Sequence, residues 1–186
     1  MTALAKKDFS YTPYFCEENC WKLGHSLIKL GYEAKKIFVL MLINKQQKVH
    51  LNHQKLAQPG HRIVWDYHVI LFYEQECSSL IFDFDSDLSF PSQFSKYSVK
   101  TFLALAPEIF IRSIPILSYH QHFYSDRSHM LDSVGVPLTV FPNYPSLSNQ
   151  LGYDKITLQD YLHCSPLNAL SDSSIYHLDE FISKYS

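Results

Sequence analysis

A thiol that could serve as a nucleophile lies near the start of the chain. Cys16 stands where a helical pattern begins, whereas Cys20 lies one turn further along on the same face. The thiolate is the reactive form of cysteine, and a helix N-terminus or a neighbouring histidine lowers the thiol pKa. Position therefore favours Cys16. The alternative is that both are small buried residues, because free cysteine is among the most buried types. Glu17 and Glu18 would oppose a thiolate if they point at the sulfur.

A histidine and an aspartate lie inside two segments with the composition of β-strands. His68 follows Trp65-Asp66-Tyr67, and Asp83 lies between two phenylalanines. If a four-residue loop, 74–77, joins antiparallel strands here, His68 and Asp83 face each other directly. The acid would then fix the imidazole tautomer and stabilise imidazolium, as in a catalytic triad. A purely structural His–Asp pair explains the same pattern.

Other groupings of potential ligands and bases are weaker. The run Asp83-x-Asp85-x-Asp87 begins like a calcium loop, but Leu88 and Phe94 stand where glycine and glutamate are required. A zinc site lacks a second ligand pair at the usual spacing. Its potential ligands are Cys16, Cys20, His25, His120 and His122. His129 is a competing candidate base, although nothing near it in the sequence orients the ring.

Composition excludes several classes of protein. The chain has 186 residues, of which 46% are apolar and 18% charged, as in an ordinary globular protein. The length fits a single domain, 1–186, with a polar lead-in at 1–13. A net charge of −2 argues against nucleic-acid binding. We find neither a membrane span nor the apolar part of a signal peptide. We therefore expect a cytoplasmic or nuclear protein with its cysteines reduced.

The five glycines form none of the phosphate-binding or nucleophile-elbow motifs. There is no G-x-x-x-x-G-K-[ST] loop, no G-x-G-x-x-G turn and no G-x-S-x-G elbow in the sequence. Nucleotide-binding folds and α/β-hydrolases are therefore disfavoured.

The hydrophobic pattern predicts the elements that would position these side chains. Residues spaced three and four apart predict a helix from Cys16 to a stop at Gly31. Strand-like segments follow, with a hairpin at the first two and a break at Pro59-Gly60. They are Ile37–Ile43, Val49–Leu51, Arg62–Tyr73, Leu80–Asp85, Lys100–Ala104 and Ile109–Leu117.

The last third of the chain predicts an irregular connection followed by short helices. Residues 133–153 contain scattered proline, glycine, serine and asparagine. Thr157 and Asp160 have the spacing of a helix-capping pair, and Leu178–Lys184 has a helical pattern. The whole layout, a helix, then mainly antiparallel strands, then short helices, is that of an α+β fold.

Four segments of the chain carry a family resemblance. They are Tyr14-Phe15-Cys16-Glu17-Glu18-Asn19 with Trp21-Lys22-Leu23, Val64-Trp65-Asp66-Tyr67-His68-Val69, Ile81-Phe82-Asp83-Phe84-Asp85, and Ser125-Asp126-Arg127-Ser128-His129-Met130 with Asp132-Ser133. In these segments and their order, the chain resembles the protein N-terminal glutamine amidohydrolase family, from about Tyr14 to near the C-terminus. The departures are a slightly short segment after Pro59-Gly60 and an additional thiol, Cys20.

The resemblance implies a papain/transglutaminase-like α+β fold with a Cys16, His68 and Asp83 triad. The implied reaction converts the N-terminal glutamine of a protein or peptide to glutamate and releases ammonia, through a Cys thioester and without a cofactor or metal. It implies a role in the N-degron pathway, and we expect a monomer that binds neither nucleic acid nor membrane. The substrate α-ammonium needs an acidic partner. The candidates are Glu17, Asp66, Asp85 and Asp126.

Three alternatives from other classes remain at this point. A non-catalytic interaction module on the same fold would keep the three residues in a structural role. A zinc-stabilised binding domain would use the cysteines and histidines as ligands. A cysteine protease or transglutaminase would use the same three catalytic groups on another substrate.

Overall fold

The computed structural model describes residues 4–58, 61–102, 108–148, 153–165 and 172–186, without the side chain of residue 129. The strands are β1 (Ile37–Ile43), β2 (Val49–Leu51), β3 (Ile63–Trp65), β4 (His68–Tyr73), β5 (Leu80–Phe82), β6 (Ser92–Gln93), β7 (Phe110–Pro115), β8 (Phe123–Tyr124), β9 (Ile156–Thr157) and β10 (Ser174–His177). The helices are α1 (Cys16–Lys29), α2 (Phe94–Thr101), α3 (Ile116–His122), α4 (Leu158–Tyr161) and α5 (Leu178–Tyr185).

A six-stranded sheet in the order β10-β7-β1-β4-β5-β6 forms the framework, and all its neighbouring strands are antiparallel. Strand β1 is apolar throughout because helices cover both of its faces. Its residues Val39 and Met41 belong to the apolar cluster that includes side chains of α1 and α3. Leu40 and Leu42 belong to the cluster that includes side chains of α2 and α5. The α+β class predicted from the sequence is therefore confirmed.

Two of the predicted strand arrangements are wrong. Strand β2 pairs with β3 in a separate two-stranded sheet and not with β1, because β4 and β7 already occupy both edges of β1. The long strand predicted over Arg62–Tyr73 is interrupted at Asp66 and Tyr67, where the chain leaves the small sheet and enters the large one. This break places both residues in irregular backbone immediately before His68.

Three further strands differ from the predictions in extent or type. The strand predicted at Lys100–Ala104 overlaps helix α2, whose buried residues follow a helical spacing, while 103 and 104 lie outside the described residues. The strand predicted at Ile109–Leu117 ends at Pro115, which is the N-cap residue of α3. The strand predicted at Leu80–Asp85 ends at Phe82, so Asp83 lies just beyond β5.

The predicted helices are confirmed with small changes at their ends. Helix α1 runs from Cys16 to Lys29, and Gly31 takes a φ of +92° just after it, a conformation that favours glycine. Thr157 and Asp160 form the expected capping box at α4, and α5 extends to Tyr185. Across the described ranges, the structure contains no helix with the length and apolarity needed to cross a bilayer.

Candidate active site

The Cys16 side chain lies at the first turn of α1, after a backbone turn of unusual conformation. Tyr14 has a φ of +69°, a value that is uncommon for a residue with a side chain. Asn19 fixes this entry: its amide donates to the Thr12 carbonyl at 2.8 Å and its oxygen accepts from the Thr12 N–H at 2.9 Å. The N-cap residue is Phe15, which has no polar side chain to cap the helix. The first N–H groups of α1 therefore receive no cap from the N-cap side chain.

His68 and Asp83 are hydrogen-bonded to each other in the buried interior. Imidazole Nε2 lies 3.0 Å from Asp83 Oδ1, and both residues are at least 95% buried. The prediction that these strands pair is confirmed, but the predicted register is wrong. Leu71 faces Phe82, so the connection is two residues longer than assumed and Asp83 lies diagonally from His68. The contact survives because β5 ends at Phe82 and the chain then bends.

Asp83 is fixed by four hydrogen-bond donors. Besides His68, the Tyr97 hydroxyl at 2.8 Å and the Gln54 amide at 3.1 Å donate to Oδ2, and the Asp85 N–H donates to Oδ1 at 2.9 Å. Burial alone would raise the pKa of Asp83, but the charge of His68 and these hydrogen bonds hold it well below its usual range. Asp83 is therefore a permanent, oriented anion. No sequence pattern indicates the contributions of Gln54 and Tyr97.

The imidazole of His68 is poised to carry a positive charge. Burial lowers its pKa, but the charge and hydrogen bond of Asp83, with the charge of Asp85, outweigh burial and raise the pKa above 6.5. The indole of Trp65 stacks on the ring, with centroids 5.4 Å apart and planes at 13°. Because Nε2 is bonded to Asp83, Nδ1 is the nitrogen that can accept a proton from a nucleophile.

Cys16 and His68 line one small pocket of about 120 Å³. The other lining residues are Tyr14, Trp65, Asp66, Tyr67 and Asp85. The thiol and the imidazole thus face one pocket at the junction of α1 and β4. The structure brings the thiol, the imidazole and the oriented carboxylate, which are distant in sequence, into one site.

Glu17, the acid next to Cys16, does point at the Cys16 sulfur. Glu17 Oε2 lies 3.5 Å from Cys16 Sγ and 3.4 Å from the Tyr67 hydroxyl. Burial raises the pKa of Glu17 to about 7. Burial also raises the pKa of the Cys16 thiol, followed by the charge of Glu17, while a hydrogen bond from the Val69 backbone acts in the opposite direction. Burial and the acid at Glu17 therefore both favour the protonated Cys16 thiol over its thiolate.

Comparison with known proteins identifies the family of the chain. A family described as N-terminal glutamine amidase matches residues 11–185. A protein from Danio rerio named protein N-terminal glutamine amidohydrolase is 31% identical over 182 residues, which cover 94% of this chain and 88% of that protein. Proteins of the same name from Drosophila melanogaster and Drosophila grimshawi are 35% and 34% identical, covering 96% of this chain and 89% of each relative. The chain belongs to this family.

The remaining acids of this family member occupy different positions around the site. Asp66 and Asp85 line the pocket, Asp66 exposed and Asp85 buried, and Asp85 Oδ1 also accepts from the Tyr11 hydroxyl. Asp126 is exposed, accepts from the Ser128 N–H at 2.9 Å and does not line the described pocket. Of the four acids considered for the α-ammonium, Asp66 and Asp85 are therefore the ones that line the pocket.

Glu18 serves a different purpose from its neighbour. Its carboxylate is fully buried and accepts from Arg127 Nε at 2.8 Å and Arg127 Nη2 at 2.7 Å, and also from the Ser125 hydroxyl. The guanidinium lies over the rings of Phe15 and Tyr144 at 5.6 and 5.4 Å. This bidentate ion pair attaches the segment around Arg127 to the first turn of α1. Ser125 and Arg127 thus have a positioning role that no sequence pattern indicated.

Cys20 lies in different surroundings from Cys16. It is 98% buried and its sulfur lies 3.5 Å from the Val69 carbonyl oxygen. Within the described part of the chain, the one group of three potential metal ligands is His68, Asp83 and Asp85, whose ligand atoms lie within 4.8 Å of one another. The cysteines and histidines considered for zinc form no such group there.

Proposed function

We propose that this protein is an amidohydrolase that converts the N-terminal glutamine of proteins and peptides to glutamate and releases ammonia. The observation that carries the proposal is the buried His68–Asp83 pair on the same pocket as Cys16, in a chain whose relatives are named for that reaction. Cys16 is the proposed nucleophile, His68 the acid and base, and Asp83 the residue that orients His68.

The reaction would begin with proton transfer from the Cys16 thiol to Nδ1 of His68 as the sulfur attacks the carboxamide carbon. The permanent charge of Asp83 stabilises the imidazolium formed in this step. The resulting oxyanion would be held by backbone N–H groups at the start of α1, of which that of Cys16 is one. Tetrahedral collapse would break the C–N bond, and His68 would protonate the departing ammonia.

The thioester left on Cys16 would then be hydrolysed. His68, now neutral, would accept a proton from water, whose oxygen attacks the thioester carbon. Collapse of the second tetrahedral intermediate would break the C–S bond, and the proton held by His68 would return to the thiolate of Cys16. The new carboxyl group would release its proton to solvent and leave as glutamate. The enzyme would thereby be restored with one water consumed and one ammonia released.

Asp66 is the proposed partner of the substrate α-ammonium. Asp85 lies deep, with a carboxylate oxygen within 4.8 Å of ligand atoms of His68 and Asp83, so its charge acts on the imidazole. Asp66 is exposed on the lining of the same pocket. A glutamine side chain directed at Cys16 keeps its α-carbon several bonds away from the reacting carbon, toward the exposed part of the lining. The carboxylate of Asp66 would therefore form an ion pair with the substrate α-ammonium there. An acetylated N-terminus carries no positive charge and would leave this carboxylate without that partner.

The same proposal extends to the fold, the domain organisation and the cellular role of the protein. A helix carrying the nucleophile on an antiparallel sheet that carries His68 supports a papain/transglutaminase-like fold, and we propose that residues 1–186 act as one catalytic domain. A cytoplasmic or nuclear monomer acting in the N-degron pathway fits these features. A non-catalytic module, a cysteine protease and a transglutaminase-type enzyme are the alternatives that the test must separate.

The test follows a short peptide that begins with glutamine by mass spectrometry and by ammonia release. We expect a mass gain of about one dalton without chain cleavage, because a carboxamide becomes a carboxylate. The acetylated peptide and a peptide with internal glutamine serve as controls and should remain unchanged, as should the first peptide with Cys16→Ala. Comparable turnover of internal glutamine would favour a transglutaminase-type enzyme. Chain cleavage would favour a cysteine protease, and the absence of any reaction would favour a non-catalytic module.

A further inference from the structure

A second, larger cleft adjoins the catalytic pocket. Its volume is about 450 Å³, against about 120 Å³ for the pocket that contains Cys16. Asp66 and Tyr67 line both cavities, so the irregular backbone between β3 and β4 forms the partition between them. The catalytic pocket is small enough to suit a single side chain, whereas the adjoining cleft has room for more of a ligand.

We propose that this cleft binds the residues that follow the N-terminal glutamine, chiefly through their main chain. The proposal rests on the function proposed above. With the glutamine side chain at Cys16 and its α-ammonium at Asp66, the rest of the substrate must leave from the partition, and the cleft begins there. The substrate chain would pass over Tyr67 and continue between the two walls of the cleft.

The two walls come from distant parts of the chain and are both rich in hydrogen-bonding groups. One wall is the turn after β1, with Asn44, Lys45 and Gln47. The other is the segment at and after α4, with Gln159, Leu162, His163 and Cys164. Amide, ammonium and imidazole groups can pair with peptide N–H and C=O groups whatever side chains the peptide carries. This lining suits an enzyme that accepts many sequences after one fixed residue.

The second wall is held in place before any ligand arrives. Arg112 in β7 is fully buried and donates from Nε to the Tyr161 carbonyl at 2.8 Å. Its Nη2 donates to the carbonyls of His163 and Ser165 at 2.5 and 2.6 Å. One buried guanidinium therefore fixes three carbonyl groups along this wall. A preformed wall lowers the ordering cost of binding an extended chain.

The experiment compares L-glutaminamide with a tetrapeptide amide that begins with glutamine, using kcat/KM for ammonia release. In the wild-type protein we expect the tetrapeptide to be better by about 10-fold or more, the gain that one or two added hydrogen bonds supply. Gln159→Trp places a large side chain on the exposed surface of α4 in the cleft and should reduce this ratio to about 3-fold or less. Gln75→Trp, at an exposed position in the β4–β5 connection, is the matched control and should keep the wild-type ratio.

The outcomes separate this inference from the proposed function. Equal kcat/KM for the two substrates, or a wild-type ratio in Gln159→Trp, would overturn the cleft assignment while leaving the deamidation intact. No ammonia from any substrate would overturn the proposed function itself. If Gln159→Trp fails to fold, Lys45→Trp obstructs the opposite wall from a side chain that is 68% exposed, and it must give the same reduced ratio.

Discussion

Replacing Glu17 with glutamine removes an ionisable group whose carboxylate lies 3.5 Å from the Cys16 sulfur. Burial raises the pKa of Glu17 from 4.5 to about 7. Between these values the unfolded chain releases the proton while the folded protein retains it. The free energy of unfolding therefore falls as the pH rises through this window, and it remains low above pH 7. The neutral glutamine has no such penalty.

The difference between the two pKa values sets the size of the effect. At about 1.4 kcal/mol per pKa unit, ionised Glu17 lowers the free energy of unfolding by about 3 kcal/mol at pH 8 relative to pH 4. Glu17→Gln should recover most of this at pH 8 and little or none at pH 4. Urea unfolding at the two pH values measures it, with Glu76→Gln, at an exposed position, as the control that should change neither value.

The same substitution should alter the pH dependence of catalysis. As Glu17 ionises near pH 7, its charge opposes formation of the neighbouring thiolate, so wild-type kcat/KM should decline on the alkaline side. Glu17→Gln should flatten that decline. If the wild type and Glu17→Gln show the same pH dependence of stability, the pKa of Glu17 is not raised by folding. If they also show the same pH dependence of kcat/KM, the charge of Glu17 does not affect the sulfur, and the reasoning is refuted.

Three further predictions concern the triad and its supports. Cys16→Ala should abolish deamidation of a peptide that begins with glutamine, and Cys20→Ala should leave most of it, as measured by ammonia release. Asp83→Asn should lower kcat by about 10³- to 10⁴-fold with an unchanged circular dichroism spectrum, because the amide favours the wrong tautomer of His68. Tyr97→Phe removes one of two donors to Asp83 Oδ2 and should lower kcat by about 10-fold, the value of one hydrogen bond to a charged group, whereas an unchanged kcat would show that Gln54 alone suffices.

The sequence predicted the His68–Asp83 contact more reliably than it predicted the path of the strands. The assumed loop was two residues too short, so the two side chains are diagonal neighbours instead of direct ones. They still meet because the chain bends after Phe82, and a side chain at the end of a strand can reach across one register step. Local composition identified both strands, but the length of their connection depends on packing that composition does not encode.

Other contacts between distant parts of the chain were not predictable from the sequence. Gln54 and Tyr97 lie 29 and 14 residues from Asp83, and neither belongs to a recognisable motif. The lead-in was expected to be a polar extension, yet Lys6 donates to the Phe84 carbonyl at 3.1 Å and Tyr11 donates to Asp85. Such hydrogen-bonded pairs depend on where the tertiary fold places each segment. Hydrophobic periodicity and secondary-structure propensity do not determine that placement.

The ion pair of Glu18 with Arg127 has a consequence for how the enzyme is made. All three proposed catalytic groups lie in the first 83 residues, so a ribosome delivers the nucleophile, base and acid well before the chain is finished. The buried carboxylate of Glu18, however, lacks its ion-pair partner until Arg127, 109 residues later, has been synthesised. Strand β1 likewise lacks one of its neighbours until β7 has been synthesised. An unpaired buried charge is costly, so the first turn of α1 should not settle on the sheet until then. The nascent chain would therefore contain all three proposed catalytic residues while still inactive. It would become active only after the second half of the chain has been synthesised.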